Sequence, residues 1–160
     1  MKLTILQRNI EWANPALNVQ RADEAIDRNP GSDLYVLPEM FSTGFCTDPE
    51  GIAESAESDT LAWMKEKAAA IDAAIAGSIA VTQDGKYYNR VYFVKPDGEV
   101  TWYDKKHLFT YGGEHKRFTA GTERVVVEWR GVRILLEVCY DLRFPVWARN
   151  RGDYDMILYV

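Results

Sequence analysis

Three side chains that could take part in acyl transfer stand directly after apolar runs. Glu39 follows LYVLP, Lys105 follows VTWYD and Cys139 follows VRILLEV. Open α/β sheets place their functional sites at strand ends, so we expect these side chains to lie near one another. A thiolate can attack a carbonyl carbon, a carboxylate can take the thiol proton, and an ammonium can stabilise the oxyanion. The three positions therefore form a workable acyl-transfer set.

Each of these residues also has a simpler structural interpretation. A free cysteine on an apolar strand is usually a packing residue, so its position alone leaves Cys139 open. Glu39 could cap the next turn, and Lys105 could belong to a solvated face. His107 more often satisfies a local hydrogen bond than acts as a base. The sequence contains neither a G-x-S-x-G motif nor a glycine-rich phosphate loop.

The elements that must position these residues are strands in the middle of the chain, with helices near both ends. Apolar and alternating patterns predict strands at residues 3–7, 33–40, 73–81, 90–94, 100–103, 124–129, 132–138 and 156–160. Helices are predicted at residues 16–28, 60–70 and 144–149, the second capped by Ser58 or Asp59. Asp-Gly pairs in QDGK and PDGE predict hairpin turns. The fold class is therefore α/β with mixed strand directions.

Composition limits the classes of function. The chain has 160 residues, of which 47% are hydrophobic, enough for one domain with a core. Its net charge of −5 argues against a nucleic-acid partner. We find no signal peptide and no run of ~20 apolar residues, and so expect a cytoplasmic protein with no membrane partner. The cysteines and histidines lack zinc-ligand spacing, so neither a metal nor another cofactor is expected.

Three longer motifs make the sequence recognisable. They are LPEMFSTGF (residues 37–45), YDKKHLF (103–109) and VCYDLRFP (138–145), and they occur in this order. The chain resembles the nitrilase superfamily, the carbon–nitrogen hydrolases, over essentially its whole length. The resemblance implies an αββα four-layer sandwich. Because family members are substantially longer, we expect residues 1–160 to be the N-terminal part of one such domain, truncated at the C-terminal side.

The resemblance also implies roles for individual residues. The family's Glu-Lys-Cys triad falls on Glu39, Lys105 and Cys139, and its second glutamate falls on Glu114. Glu39 would be the general base, and Cys139 would form a thioester with an amide substrate. Lys105 and the backbone N–H of Tyr140 would hold the oxyanion. Glu114 would position the substrate or Lys105.

The residues around the cysteine carry further expectations. Asp141 and Arg143 are expected to hold the turn after Cys139, with direct substrate contact by Arg143 as the alternative. Glu137 is a charged residue at the end of the nucleophile strand. If its side chain faces the pocket, it would raise the pKa of the thiol and slow the attack.

Within the superfamily, FSTGF and CYDLRFPVWARN are most similar to the ω-amidase branch. The resemblance implies hydrolysis of the terminal amide of a small keto-acid monoamide, 2-oxoglutaramate or 2-oxosuccinamate. Substrate contacts are then expected at Phe41, Thr43, Phe45 and Arg143. An aliphatic amidase and an N-carbamoyl amide hydrolase are the alternatives within the family.

Interpretations from other classes remain open at this point. One is a catalytically silent domain that binds a small molecule or serves as an assembly subunit, and another is a redox thiol at Cys139. The resemblance further implies a homodimer or a higher homo-oligomer.

Overall fold

The computed structural model describes all 160 residues, which form two β-sheets, three α-helices and short 3₁₀ turns. The strands are β1 (Leu3–Ile5), β2 (Leu34–Val36), β3 (Glu54–Ser55), β4 (Ala74–Gln83), β5 (Lys86–Val94), β6 (Val100–Asp104), β7 (Val126–Trp129), β8 (Val132–Glu137) and β9 (Met156–Tyr159). The helices are α1 (Pro15–Asp27), α2 (Asp59–Ile71) and α3 (Pro145–Ala148). The 3₁₀ turns are Thr110–Gly112, Glu114–Lys116 and Cys139–Arg143.

The first sheet has the order β1-β2-β4-β5-β6, and the short β3 also pairs with β4. Strands β1, β2 and β4 run parallel, whereas β4, β5 and β6 are joined as antiparallel neighbours. In the second sheet, β8 pairs antiparallel with β7 and parallel with β9. Both sheets therefore contain a hairpin joined to a parallel pair, which confirms the prediction of mixed strand directions.

Two hairpins are set by residues that accept positive φ angles. Asp84 (φ 52°) and Gly85 (φ 72°) join β4 to β5, and Arg130 (φ 47°) and Gly131 (φ 77°) join β7 to β8. Two consecutive left-handed residues are the signature of the type I′ turn, whose twist matches that of the flanking strands. The local sequence thus fixes the register of both hairpins.

Capping side chains determine where the two long helices begin. The Ser58 side chain accepts a hydrogen bond from the Leu61 N–H, so Ser58 rather than Asp59 is the N-cap of α2. At α1, Asn14 accepts from the N–H of Leu17, and Pro15 takes the first helical position. The longest helices, α1 and α2, have 13 residues each, fewer than a membrane-spanning helix needs.

The core lies in two layers on either side of the first sheet. One face of this sheet packs against α1 and α2 through residues such as Ile26, Met64 and Ile75. The opposite face packs against the second sheet, where Phe93 and Leu136 belong to one buried cluster. The architecture is therefore helices, sheet, sheet. The α/β class with two packed sheets is confirmed, and these residues form three of the four layers that the resemblance implies.

The predicted elements are all present, with shifted ends. Strand β2 ends at Val36 rather than near residue 40, because the chain then leaves the sheet and crosses β4. Strand β5 begins four residues earlier than predicted, as β4 extends to Gln83 and pairs with it along its whole length. The two-residue strand β3 was missed, since Glu54 and Ser55 carry no hydrophobic pattern.

Candidate active site

Glu39 lies in the loop that follows β2, and β4 holds this loop in place. The N–H of Met40 donates to Ser78 Oγ (2.8 Å), and the N–H of Phe41 donates to the Ser78 carbonyl (3.0 Å). Met40 adopts a left-handed conformation (φ 46°), which turns the chain sharply after Glu39. One residue earlier on β4, a Cβ on Gly77 would lie 2.8 Å from Leu37 Cβ, so only glycine allows this close approach.

Lys105, directly after β6, is the centre of the buried charge cluster. Its Nζ lies 2.9 Å from Glu39 Oε1 and 2.9 Å from Glu114 Oε2. Both Lys105 and Glu114 are fully buried, whereas the Glu39 side chain keeps 15% of its surface exposed. Burial by itself would lower the pKa of Lys105, but the two carboxylates raise it, so the ammonium stays charged.

Asn89 on β5 joins the two carboxylates. Its Nδ2 donates to Glu39 Oε1 (2.7 Å) and to Glu114 Oε1 (3.0 Å), while its Oδ1 accepts from Ser78 Oγ (2.9 Å). The amide thus supplies both of its N–H groups to carboxylates that would otherwise repel each other. The sequence interpretation missed Asn89. A polar side chain beside the apolar run RVYFV, on a strand with a buried centre, is the signal that could have identified it.

Cys139 stands at the point where β8 gives way to a 3₁₀ turn. Its φ of 41° is left-handed, which costs a non-glycine residue about 1–2 kcal/mol. Its N–H donates to the carbonyl of Val160 (2.7 Å), so the strand pairing fixes the turn. Val138 and Asp141 are buried, yet Cys139 is exposed. The N–H of Tyr140 has no hydrogen-bond partner in the fold and is available to a ligand.

The thiol of Cys139 is held in its protonated form. Burial first, and then the charge of Glu39, raise its pKa to about 11, against a smaller opposite effect of Lys105. The thiol is therefore not activated by a lowered pKa, and attack requires a base that takes its proton. Cys46, the other cysteine, is 2% exposed and packs against Met40, as expected of a packing residue.

A cavity of about 340 Å³ opens beside Cys139. It is lined by Glu39, Phe45, Phe109, Cys139, Tyr140, Leu142 and Arg143. Of the four predicted substrate contacts, Phe45 and Arg143 line this cavity. Phe45 is 40% exposed, and its ring lies 5.7 Å from Lys105 Nζ.

Phe41 and Thr43 do not reach this cavity, so the expectation of substrate contact is wrong for them. Phe41 is 1% exposed and belongs to the core beneath the helices, 6.1 Å from the Trp63 ring. Thr43 is fully buried, and its carbonyl accepts from the Ala13 N–H. The left-handed turn at Met40 directs these two side chains inward and leaves Phe45 at the surface.

Asp141 and Arg143 differ in role. Asp141 is fully buried and accepts hydrogen bonds from the N–H groups of Val138 (3.0 Å) and His107 (2.8 Å), which confirms that it holds the turn. Arg143 makes no ion pair or side-chain hydrogen bond and is exposed, so the expectation that it braces the turn is wrong. The His107 ring nitrogen Nδ1 contacts Asp141 Oδ1 (2.8 Å), a local hydrogen bond as expected.

Glu137 does not face the cavity. It is fully buried, and its Oε2 lies 3.4 Å from the hydroxyl of Tyr103 on the side of the turn away from Glu39. Burial and the charge of Glu39 are the main causes of the raised pKa of Cys139. No group of three or more His, Cys, Asp or Glu side chains is arranged to hold a metal ion.

The arrangement matches known proteins along the whole chain. The profile of the carbon-nitrogen hydrolase family matches residues 2–159. An omega-amidase, YafV, of Yersinia enterocolitica is 46% identical over 162 residues, which cover 100% of this chain and 62% of that protein. A 2-oxoglutaramate amidase of Bacillus subtilis is 36% identical over 158 residues, 94% of this chain and 60% of that protein.

The solved structures agree. XC1258 of Xanthomonas campestris, described as a CN-hydrolase superfamily protein, superposes with a TM-score of 0.96 at 41% identity, covering 100% of this chain and 64% of that one. The chain thus spans about three fifths of the length of the curated relatives that it matches. With a family profile, relatives and a solved structure that all agree, the chain belongs to the carbon–nitrogen hydrolase family.

Proposed function

We propose that the protein hydrolyses the terminal amide of a small keto-acid monoamide, 2-oxoglutaramate or 2-oxosuccinamate, through a thioester at Cys139. The observation that carries this proposal is the buried Lys105 ammonium, held between Glu39 and Glu114 beside an exposed cysteine. The names of the relatives, an omega-amidase and a 2-oxoglutaramate amidase, support the same substrate class.

Glu39 is suited to act as the base. Its Oε1 already accepts hydrogen bonds from Lys105 and Asn89, which leaves Oε2 free to take the thiol proton. A thiol with a pKa of about 11 supplies very little thiolate at neutral pH, so proton transfer to Glu39 accompanies attack on the amide carbon.

Lys105 and Tyr140 are suited to hold the oxyanion. Lys105 Nζ contacts Glu39 Oε1 (2.9 Å) and both Glu114 oxygens (2.9 and 3.3 Å), and exchange of the longest contact leaves one of its three N–H groups for the substrate. The unbonded N–H of Tyr140 supplies the second donor. The loss of one such donor typically lowers the rate by ~10²–10³-fold.

The remaining steps return the enzyme to its starting state. The carbon–nitrogen bond breaks as Glu39 gives its proton to the departing ammonia, which leaves the acyl group on Cys139. Water that loses a proton to Glu39 then attacks the thioester. As the carbon–sulfur bond breaks, Glu39 returns this proton to the sulfur, which releases the acid and restores the thiol. The balance is one amide and one water consumed for one carboxylic acid and one ammonia.

Arg143 is suited to bind the carboxylate of the substrate. It lines the cavity with the nucleophile and has no acidic partner among residues 1–160. A guanidinium binds a carboxylate through two parallel hydrogen bonds, whereas the aromatic rings of Phe45 and Phe109 offer apolar contact to a short carbon chain.

The decisive test is ammonia release from a panel of short amides that includes 2-oxoglutaramate, 2-oxosuccinamate, a neutral aliphatic amide and an N-carbamoyl amide. We would assay this chain and the full-length protein, each with a Cys139→Ala variant and a Cys46→Ala control. Release from the keto-acid amides that needs Cys139 but not Cys46 is the expected result. Unchanged hydrolysis by Cys139→Ala would refute the mechanism, and preference for another amide would refute the substrate class.

We also propose that the protein forms a homodimer or a higher homo-oligomer, as the resemblance implies. Light scattering on the full-length protein tests this, and a monomeric mass at assay concentration would contradict it.

A further inference from the structure

Two buried carboxyl groups lie on the side of the Cys139 turn that faces away from the cavity. Glu137 and Asp141 are both 0% exposed. The hydroxyl of Tyr103 stands between them, 2.9 Å from Asp141 Oδ2 and 3.4 Å from Glu137 Oε2. The mechanism proposed above does not use Glu137, so its burial as a second acid beside Asp141 calls for an explanation.

The number of protons available around the Tyr103 hydroxyl indicates which of the two carboxyl groups is protonated. A tyrosine hydroxyl has a single proton, and the shorter contact assigns it to Asp141. The same hydroxyl accepts from the N–H of Lys106 (3.1 Å), and the Asp141 oxygens also accept from the N–H groups of Val138 and His107. Asp141 is thus an acceptor throughout. A hydrogen bond between Glu137 and Tyr103 therefore forms only if the Glu137 carboxyl group is protonated and acts as the donor.

The charges around Glu137 do not supply an ion pair. Arg124 lies on this side and its charge lowers the pKa of Glu137, but its Nη1 pairs with Asp153 and its buried Nε has no hydrogen-bond partner. Tyr159 on β9 stands opposite Glu137 in the sheet, and its pKa is raised, after burial, by the charge of Glu137. The remaining charged groups at this end of β6 are directed elsewhere: Lys106 Nζ lies over the Trp147 ring, and His107 contacts Asp141.

Burial and the charge of Asp141 act together on Glu137. Burial first, and then the Asp141 carboxylate, raise the pKa of Glu137 to about 8, against smaller opposing effects of Tyr103 and Arg124. Glu137 Oε1 is buried without any hydrogen-bond partner. An ionised oxygen at this position would carry a large desolvation cost. The proton count and the electrostatics therefore agree.

We propose that Glu137 is a positioning residue: as a neutral acid it donates its proton to Tyr103 and so completes a hydrogen-bond chain through Asp141 to the backbone of the Cys139 turn. Ionisation of Glu137 removes this donor and places a second negative charge next to Asp141. The hydrogen-bond chain that holds the turn is then broken, and the nucleophile loses its fixed orientation toward Glu39. The effect on turnover rests on the proposed amidase function, whereas the protonation of Glu137 does not.

The first test needs no activity. In the full-length protein, the unfolded state ionises Glu137 near its ordinary pKa of 4.5 and the folded state only near 8. The folded state thus binds more protons between these values, so Glu137 makes stability fall as pH rises across this window, with no further loss above it. We expect the unfolding midpoint of Glu137→Gln to rise relative to that of the wild type as the pH increases from 5 to 8.

Glu128 is an exposed carboxylate on the neighbouring strand β7. Glu128→Gln is therefore the matched control, and its unfolding midpoint should not rise relative to that of the wild type. Infrared difference spectra of wild type and Glu137→Gln at pH 7 should show the C=O stretch of a protonated carboxylic acid in the wild type. A pH-independent difference in midpoint, or the absence of that band, would overturn the proposal whatever the protein hydrolyses.

The second test measures positioning. Under this proposal the kcat of the wild type falls above pH 8. An amide N–H can replace the acid as donor, so Glu137→Gln should retain kcat at neutral pH and should show no such fall. Glu137→Leu lacks a donor and should lower kcat by roughly five- to tenfold with KM unchanged, as expected for one lost hydrogen bond. Equal kcat–pH profiles for wild type and Glu137→Gln would contradict the positioning role.

Discussion

Asn89 offers the sharpest test of how the site is held together. Its amide is the neutral donor that contacts both Glu39 and Glu114, at 2.7 and 3.0 Å. Leucine has nearly the same shape but no polar atoms, so Asn89→Leu removes both hydrogen bonds and the one from Ser78 without opening a large cavity. We expect Glu39 to lose its fixed orientation toward Cys139.

The size of the effect follows from the charges involved. A hydrogen bond to a charged group contributes ~1.5–3 kcal/mol. If the bond to Glu39 acts fully in the transition state, its loss lowers kcat/KM by about 10- to 150-fold, since each 1.36 kcal/mol is tenfold in rate. The bond to Glu114 holds Lys105 in the ground state as well, so its loss should lower the free energy of unfolding by a similar ~1.5–3 kcal/mol.

The assay is kcat/KM for the amide that gives the highest rate, measured beside urea unfolding of the same preparation. Asn29→Leu is the matched control, because Asn29 is exposed at the end of α1, where its Nδ2 contacts only the Ala25 carbonyl. A folded Asn89→Leu variant with wild-type kcat/KM would refute the reasoning that Asn89 orients the base.

Three further results are expected. A Cβ on Gly121 would lie 2.0 Å from the carbonyl oxygen of Asp104, so Gly121→Ala should displace the end of β6, lowering both the melting temperature and the amidase rate. Glu39→Gln removes a negative charge that raises the pKa of Cys139. The midpoint of the pH-dependent alkylation of Cys139 by iodoacetamide should therefore move below about 11, while the rate of hydrolysis falls. An unchanged midpoint would contradict the contact between Glu39 and Cys139. Arg143→Gln should raise KM for a keto-acid amide and leave KM for a neutral amide unchanged, and equal increases for both would exclude carboxylate recognition.

The elements were predictable because their signals are local. Alternating and apolar runs identified eight of the strands, and Asp-Gly pairs located hairpin turns whose positive φ angles the structure confirms at Gly85. Ser58 was identifiable as a cap from its place before an apolar period. The ends of β2 and β5 were not predictable, because they depend on how far β4 extends and where the chain crosses it.

The amino-acid sequence was enough to identify the side chains that follow the strands, and three motifs in order matched Glu39, Lys105 and Cys139 to the triad of one family. What those side chains contact depends on the tertiary structure. Lys105 and Glu39 are separated by 66 positions, and their 2.9 Å contact depends on the pairing of β2, β4, β5 and β6. Local patterns carry no information on such non-local geometry. The burial of Phe41, the unpaired state of Arg143 and the burial of Glu137 beside Asp141 therefore emerged only from the fold.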